Sequence, residues 1–516
     1  MKEELIPVKD INGDINMTKE ELKKLFSKPD WDEETIIEAE KIVTKIGKEY
    51  LGLSIYPNQF EIVTSEQMLD AYSLIGLPIS YNHWKFGKDF VMNSNQYKKG
   101  RMGLALELVI NSNPCISYNM EDNTTCQMIL VLAHACEGHN AFFKNNYLFK
   151  QWTQADSIID YMVFAKEFVA KCEEKYGYEE VELVLDACHA LMNYGVDKYK
   201  KPRKLSPIEE GERLKKKLED DRILLNDLWR TIPKDEKEKL KEKRFPESPE
   251  ENILYFIEKN SPKLRGWQRE IVRIVRKTAQ YFYPQGQTKV INEGVASFTH
   301  YEIINKMYDE GYLSDGFMQE FFHHHSNVIF QPGFDSKFYS GLNPYTLGFN
   351  ILQDLKRMSL NPTKEDLEWF PKIAGNGNWV ENFNYIIENF KDDTFVLQYL
   401  SPKVIRDMKL FEIDDKMEAN YYEVSSIHNE GGYKKVRESL SQSYNRSRYV
   451  PDIQVYDVDV FGDRTLTLEH TPINKRGLDS GEIKKVLPYV EYLWGFPVRI
   501  VENGKELSTT KTKTSI

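Results

Sequence analysis

Apolar residues recur every three or four positions through most of the first 195 residues, which is the spacing of one face of an α-helix. Ile36, Ala39, Val43, Ile46 and Tyr50 form one such face, with Asp32 placed near its start. Thr64-x-x-Gln67 and Thr124-x-x-Gln127 have the form of capping boxes, in which the threonine hydroxyl takes the third amide and the glutamine reaches back. The second predicts a helix from about residue 125, through Met128–Ala133, that carries His134. Its apolar face is wide, so burial on most sides is expected. Two more helices are predicted, from about Asp156 to Lys175 and from Glu179 to Tyr194, ended by Gly177 and Gly195.

Residues 198–263 change character. Runs such as Arg213-Leu214-Lys215-Lys216-Lys217-Leu218-Glu219-Asp220 read as a charged linker or a solvated helical insert. A second helical block opens near Ser261. Trp267, Ile271, Ile274, Thr278 and Tyr281 mark its inner face, Pro284 is expected to end its first helix, and Asn292 to open the next. Pro332, Gly333, Gly341, Pro344 and Gly348 predict an irregular passage.

The C-terminal part reads as strand Tyr422–Ile427, helix Gly432–Tyr444, a hairpin of Ile453–Val460 and Thr465–Glu469, helix Gly481–Trp494 and strand Pro497–Glu502. That order, βαββαβ, is the one of a ferredoxin-like module. The expected organisation is α+β: an N-terminal helical domain (1–197), a charged segment (198–263), a second helical block (264–415), a ferredoxin-like module (420–503) and a flexible tail (504–516). A zincin-like arrangement is an expectation for the large, mainly helical body.

With 516 residues, 41% hydrophobic and 13% aromatic, the chain can bury a large core. A net charge of −11 speaks against a dedicated nucleic-acid surface. The five cysteines, Cys115, Cys126, Cys136, Cys172 and Cys188, form no CxxC pair, which suits a reducing compartment. Met1–Gly13 lacks the pattern of a signal peptide, and the Met128–Ala133 run is too short to span a bilayer, so a cytoplasmic protein is expected.

Chemistry concentrates in two places. Ala133-His134-Ala135-Cys136-Glu137-Gly138-His139-Asn140 puts two imidazoles and an acid in an apolar helix, and Asn292-Glu293-Gly294-Val295-Ala296-Ser297-Phe298-Thr299-His300 adds an acid and a histidine on a later one. Such groups are costly to bury unless something, often a metal ion, offsets their desolvation. In a regular α-helix His134 and His139 diverge by about 140°, at about 100° per residue. One π-bulge realigns them, and Gly138 leaves the backbone room for it. Glu293 and His300 are about 10.5 Å apart along a helix axis. The expected metal ligands are therefore His134, His139 and Glu293, with Zn2+ as the ion, and His300 behind them or against substrate.

Asn-Glu-Gly-x-Ala is similar to the third-ligand helix of gluzincin metallopeptidases, whose HExxH helix supplies the other two ligands and a glutamate base. Here Ala135 stands where that glutamate belongs. Glu137 is the nearest acid, and it can serve only on a distorted helix. Glu137 and His300 are thus the candidate catalytic residues, with Asn140 and Asn145 as candidate oxyanion donors. Cys136 among apolar neighbours fits packing better than nucleophilic chemistry. Of His323-His324-His325, at most one side chain can face a site. His83, in the aromatic loop Asn82-His83-Trp84-Lys85-Phe86, fits a structural role, and His428 and His470 of the C-terminal module have no evident partner in the sequence.

The chain resembles the SpoVR family, named for stage V sporulation protein R. The resemblance is carried by His83 to Lys88, Leu106 to Cys115, His134 to Asn146, Asp186 to Asp197, Trp267 to Ile271, Asn292-Glu293-Gly294, Tyr339 to Tyr345, and Tyr399-Leu400-Ser401-Pro402 through Asp407, and it spans about residues 30 to 503. Val295 and Glu137 depart from the family pattern, which tends to have tryptophan at the first position and no acid at the second. The resemblance implies a cytoplasmic protein needed for spore cortex formation, or for stationary-phase stress in other bacteria, beside an AAA+-type serine protein kinase and a von Willebrand A-like protein. Two functions follow as expectations: a metal-dependent hydrolase of a peptide or cell-wall-related amide bond, or a non-catalytic regulatory scaffold acting with the kinase.

Overall fold

The computed structural model describes residues 17–73, 80–98, 106–198, 212–213, 215–216, 245–334, 336–414, 423–426, 428–473 and 476–510. Met1–Gly13, most of the charged segment and residues 511–516 lie outside them. The chain forms two units, Met1–Val181 with Gln280–Tyr449, and Glu182–Ala279 with Val450–Ile516.

In the first unit, the helices expected to form two separate domains share one core. Ile42, Val43 and Ile46 of the Glu33–Leu51 helix pack in a single apolar cluster with Val295, Phe298 and Ile303 of the Lys289–Asp309 helix. Leu347, Ile351 and Leu355 of the Pro344–Leu360 helix, and Phe383 and Ile387 of Trp379–Asn389, complete it. The physical reason is the width of these apolar faces, which neighbours in sequence cannot cover alone. The predicted caps form: Thr35 N donates to Asp32 Oδ1 at 2.9 Å, and Thr124 and Gln127 exchange both capping-box bonds.

Three strands sit among these helices, in stretches to which the periodicity assigned no element. β1 (Asn58–Val63), β2 (Glu107–Ile110) and β3 (Cys115–Met120) form a sheet of order β1-β3-β2, parallel between β1 and β3 and antiparallel between β2 and β3. With four to six residues each, they are too short to impose a period on the surrounding pattern. The β2–β3 pairing sets Glu107 opposite Asn119.

Pro284 lies inside the Gly266–Gln287 helix rather than ending it. It stands in the last turn, so only a few residues follow its missing N–H. The next helix begins at Lys289, ahead of the expected Asn292. Thr288 does not cap it, and Asp392 Oδ1 instead accepts from Ile291 N at 2.9 Å, a cap supplied from 101 residues away. Pro344 starts a helix capped by Asn343, with Gly348 inside it, so the irregular passage ends before both.

The ferredoxin-like expectation is corrected. The elements occur in the predicted order, but β5 (Glu423–Ser426) pairs with β4 (Glu412–Asp414) in a two-stranded sheet of the first unit. In the second unit β6 (Asp452–Val458), β7 (Leu466–Thr471), β8 (Val498–Glu502) and β9 (Lys505–Thr509) form a sheet in that order. β7 and β8 are parallel across the Ser480–Trp494 helix, while the other pairs are antiparallel. β9 comes from the stretch expected to be a flexible tail, because Lys505–Thr509 folds back along β8 as a hairpin. The Ile253–Asn260 helix, expected within a charged segment, is packed: Phe256 meets Trp494 at 5.8 Å, and Arg273 and Arg276 hold its buried Glu258. No helix among the described residues is long and apolar enough to cross a membrane.

Candidate metal centre

The helix that begins at Thr125 changes at Leu132 into a π-helix, Leu132–His139, and returns to α at Asn140. Widening the turn to i→i+5 brings residues five apart onto one face. The His134 and His139 rings accordingly lie 4.7 Å apart, nearly perpendicular at 88°. Gly138 contributes closeness as well as freedom, since a Cβ there would lie 2.6 Å from the Ala296 Cα. Backbone contact on that side draws the Lys289–Asp309 helix, and with it Glu293, against the two histidines.

Glu293 Oε2 is 3.5 Å from His139 Nε2 and 3.9 Å from His134 Nε2. One ligand-capable atom from each of the three residues lies within 4.8 Å of the other two. Ligands at about 2.0–2.2 Å from a tetrahedral zinc ion stand about 3.3–3.5 Å from one another, so small side-chain adjustments suffice. Glu293 Oε2 is buried and accepts no hydrogen bond from any described residue. Glu107 on β2 approaches from a third direction, with Oε1 3.7 Å from His134 Nε2. The Glu107 and Glu293 side chains each keep 17% exposure, more than either histidine.

Behind the centre, His139 Nδ1 is 3.0 Å from Asn292 Oδ1, which can only accept. His139 Nδ1 therefore donates to that oxygen, which turns Nε2 toward Glu293. His134 Nδ1 is 2.9 Å from His300 Nδ1, and His300 Nε2 is 2.7 Å from His325 Nδ1. Burial and the neighbouring imidazoles push His134 and His300 well below the usual histidine range, and burial brings His325 to about 4, so all three rings are neutral at pH 7. Burial, and secondarily the Glu293 charge, raises Glu107 to about 8.

The other predicted residues are placed as follows. Glu137 faces the opposite side of the π-helix, accepting from Thr44 Oγ1 at 2.7 Å and lying against Gly47, so it is not part of the group. His300 lies behind His134. Asn140 is spent on Tyr56 and Asn58, and Asn145 on Ser54 and Ala141, which leaves neither amide aimed at the centre. Cys136 is buried, as are the other four free cysteines, and burial holds its thiol well above the ordinary range. Of the histidine tract only His325 joins the cluster; His324 lies near Glu320 and His323 near Asn327. His428 stacks between Phe411 and Tyr433, and His470 pairs with Glu502. Sequence reasoning missed Glu107, Asn292 and His325. Asn292 had a signal, its adjacency to Glu293, whereas the β2–β3 pairing that places Glu107 leaves none in the local pattern.

A family model described as SpoVR like protein matches residues 30–449, and one described as SpoVR-like C-terminal domain matches residues 451–505. The chain belongs to the SpoVR family. The junction between the two SpoVR matches coincides with the division at Tyr449 and Val450 between the two units. Over 494 residues this SpoVR chain is 51% identical to the uncharacterized protein YcgB of Escherichia coli (strain K12), across 95% of this chain and 96% of that protein. No solved structure matches it.

Proposed function

We propose that His134, His139 and Glu293 hold a divalent metal ion, Zn2+ by their donor chemistry, and that the centre hydrolyses a peptide or other amide bond. The observation that carries this reading is a buried carboxylate oxygen, Glu293 Oε2, facing two imidazole nitrogens with no hydrogen-bond donor among the described residues to satisfy it. Two histidines and one glutamate are the donor set of zinc hydrolases. Bound there, the ion would supply Lewis acidity toward a carbonyl oxygen and toward water.

The chain's own residues divide the remaining work. Glu107 stands beside His134 but outside the mutually close group of three, where its carboxyl, ionised once a bound cation offsets the burial that raises it, can take a proton from attacking water and return it to the leaving amine. It takes the base role expected of Glu137. Tyr345, whose ring lies parallel to His134 at 6.3 Å and 16°, forms a flat wall of the site. The family setting we infer is spore cortex formation or stationary-phase stress in the cytoplasm, with an AAA+-type serine protein kinase and a von Willebrand A-like protein as partners and a peptide or cell-wall-related amide as substrate.

Elemental analysis of the purified full chain tests the reading. About one equivalent of a transition metal is expected, lost on Glu293→Gln. A folded wild-type protein that takes up none after reconstitution leaves the non-catalytic scaffold as the better reading.

A further inference from the structure

The buried histidines behind the centre form a chain of three rings. His134 Nδ1 meets His300 Nδ1 at 2.9 Å, and His300 Nε2 meets His325 Nδ1 at 2.7 Å. Neutral imidazoles carry one N–H each, so the two contacts must run in the same sense. In one sense His134 donates to His300, His300 donates to His325, and His134 Nε2 is left as a bare lone pair in the centre. In the other, an N–H on His134 Nε2 points toward Glu107 and Glu293, whose oxygens at 3.7 and 3.9 Å lie beyond hydrogen-bond reach. Only the first sense offers a lone pair of His134 to an ion in the centre.

Resting on the metal reading above, we infer that His300 and His325 are positioning residues that set which nitrogen of His134 is offered to the ion, as Asn292 does for His139. A single acceptor, the amide oxygen of Asn292, serves the second ligand. The first needs a relay of two rings, because His300 stands between it and His325. His325 can act as a fixed end because its ring is packed against Phe349 at 4.8 Å, Tyr301 at 5.0 Å and Phe321 at 5.7 Å. No charge moves along the chain. Its product is orientation: a lone pair held toward the centre before any ion arrives.

The test is Co2+ binding to the full chain, followed by chelator competition and by the visible ligand-field spectrum. His325→Leu removes the acceptor at the end of the chain, while His325→Asn restores an accepting oxygen. Affinity is expected to fall about 10–100-fold in His325→Leu, with an altered spectrum, and to recover in His325→Asn. Equal affinity and identical spectra for His325→Leu and wild type overturn the relay while leaving the metal reading standing. Failure of folded wild-type protein to bind Co2+ overturns both. Should His325→Leu not fold, nitrogen NMR of 15N-histidine-labelled wild-type protein decides the matter. The relay requires the proton on Nδ1 of His134 and on Nε2 of His300, and the opposite tautomers contradict it.

Discussion

Gly138 and Ala296 touch through their backbones: a Cβ on the glycine would come within 2.6 Å of the alanine Cα and 3.1 Å of its Cβ. This contact joins the π-helix to the helix that carries Glu293. A second one, between Gly294 and Gly348, brings the Pro344–Leu360 helix equally near on another side of the Glu293 helix. The centre is therefore built from helices held closer together than side chains of ordinary size permit.

Gly138→Ala is expected to push the two helices apart, because the obstructing atom is backbone and cannot rotate away. A loss of about 1–3 kcal/mol in chemical unfolding is predicted, together with weakened metal uptake. Stability and metal binding both equal to wild type would show that the contact yields without consequence.

Glu293→Gln separates metal binding from folding by the sign of its effects. A carboxamide can offer an N–H to an imidazole Nε2 where the carboxylate offers only lone pairs, so the metal-free variant is predicted to melt at a higher temperature than the metal-free wild type. The same change removes the anionic ligand, so metal no longer raises the melting temperature. Melting curves with and without added Zn2+ read both effects. A less stable metal-free variant would mean that Glu293 is already satisfied in the folded chain.

Burial sets a pH dependence away from the centre. It raises Glu40 and Glu137 to about 8 from an ordinary 4.5, with Glu40's partner Asn58 and Glu137's partner Thr44 opposing the shift, and it raises Asp392 to about 7 from 3.8. Each native carboxyl holds its proton more tightly than the unfolded chain does. Its contribution is thus full below the unfolded value and is lost as pH rises through the folded one. Stability should fall between about pH 4 and pH 8, from the unfolded values up to the folded ones, and Glu137→Gln or Glu40→Gln should flatten that fall. Denaturant midpoints across this range check it; a slope unchanged in both variants would refute the assignment.

Asp392 also tests the long-range cap. Asp392→Ala leaves the first amides of the Glu293 helix without their acceptor and is predicted to cost about 1–2 kcal/mol, whereas Asp392→Asn retains an accepting oxygen and costs less. Hydrogen exchange at Ile291 should quicken in the alanine variant alone.

That His134, His139 and Glu293 come together was legible in the sequence because their signal is local: imidazole and carboxylate inside apolar helices, at a spacing only a π-turn can align. The capping boxes at Thr64 and Thr124 were legible for the same reason. What stayed hidden depends on partners distant in the chain. Glu107 reaches the centre only through the pairing of β2 with β3, and the Lys289 start of the Glu293 helix depends on Asp392. β5 was placed in the wrong sheet because order along a chain does not say which edge a strand will find. Glu137 carried the right chemistry, but the π-turn that gathers His134 and His139 carries it to the opposite face.

The most direct test is anomalous diffraction at the zinc edge from crystals of the full chain grown with Zn2+. The account predicts one peak between His134 Nε2, His139 Nε2 and the Glu293 carboxylate, about 2.0–2.2 Å from each. Fully occupied zinc elsewhere, with these three side chains unmoved and no peak between them, would contradict it.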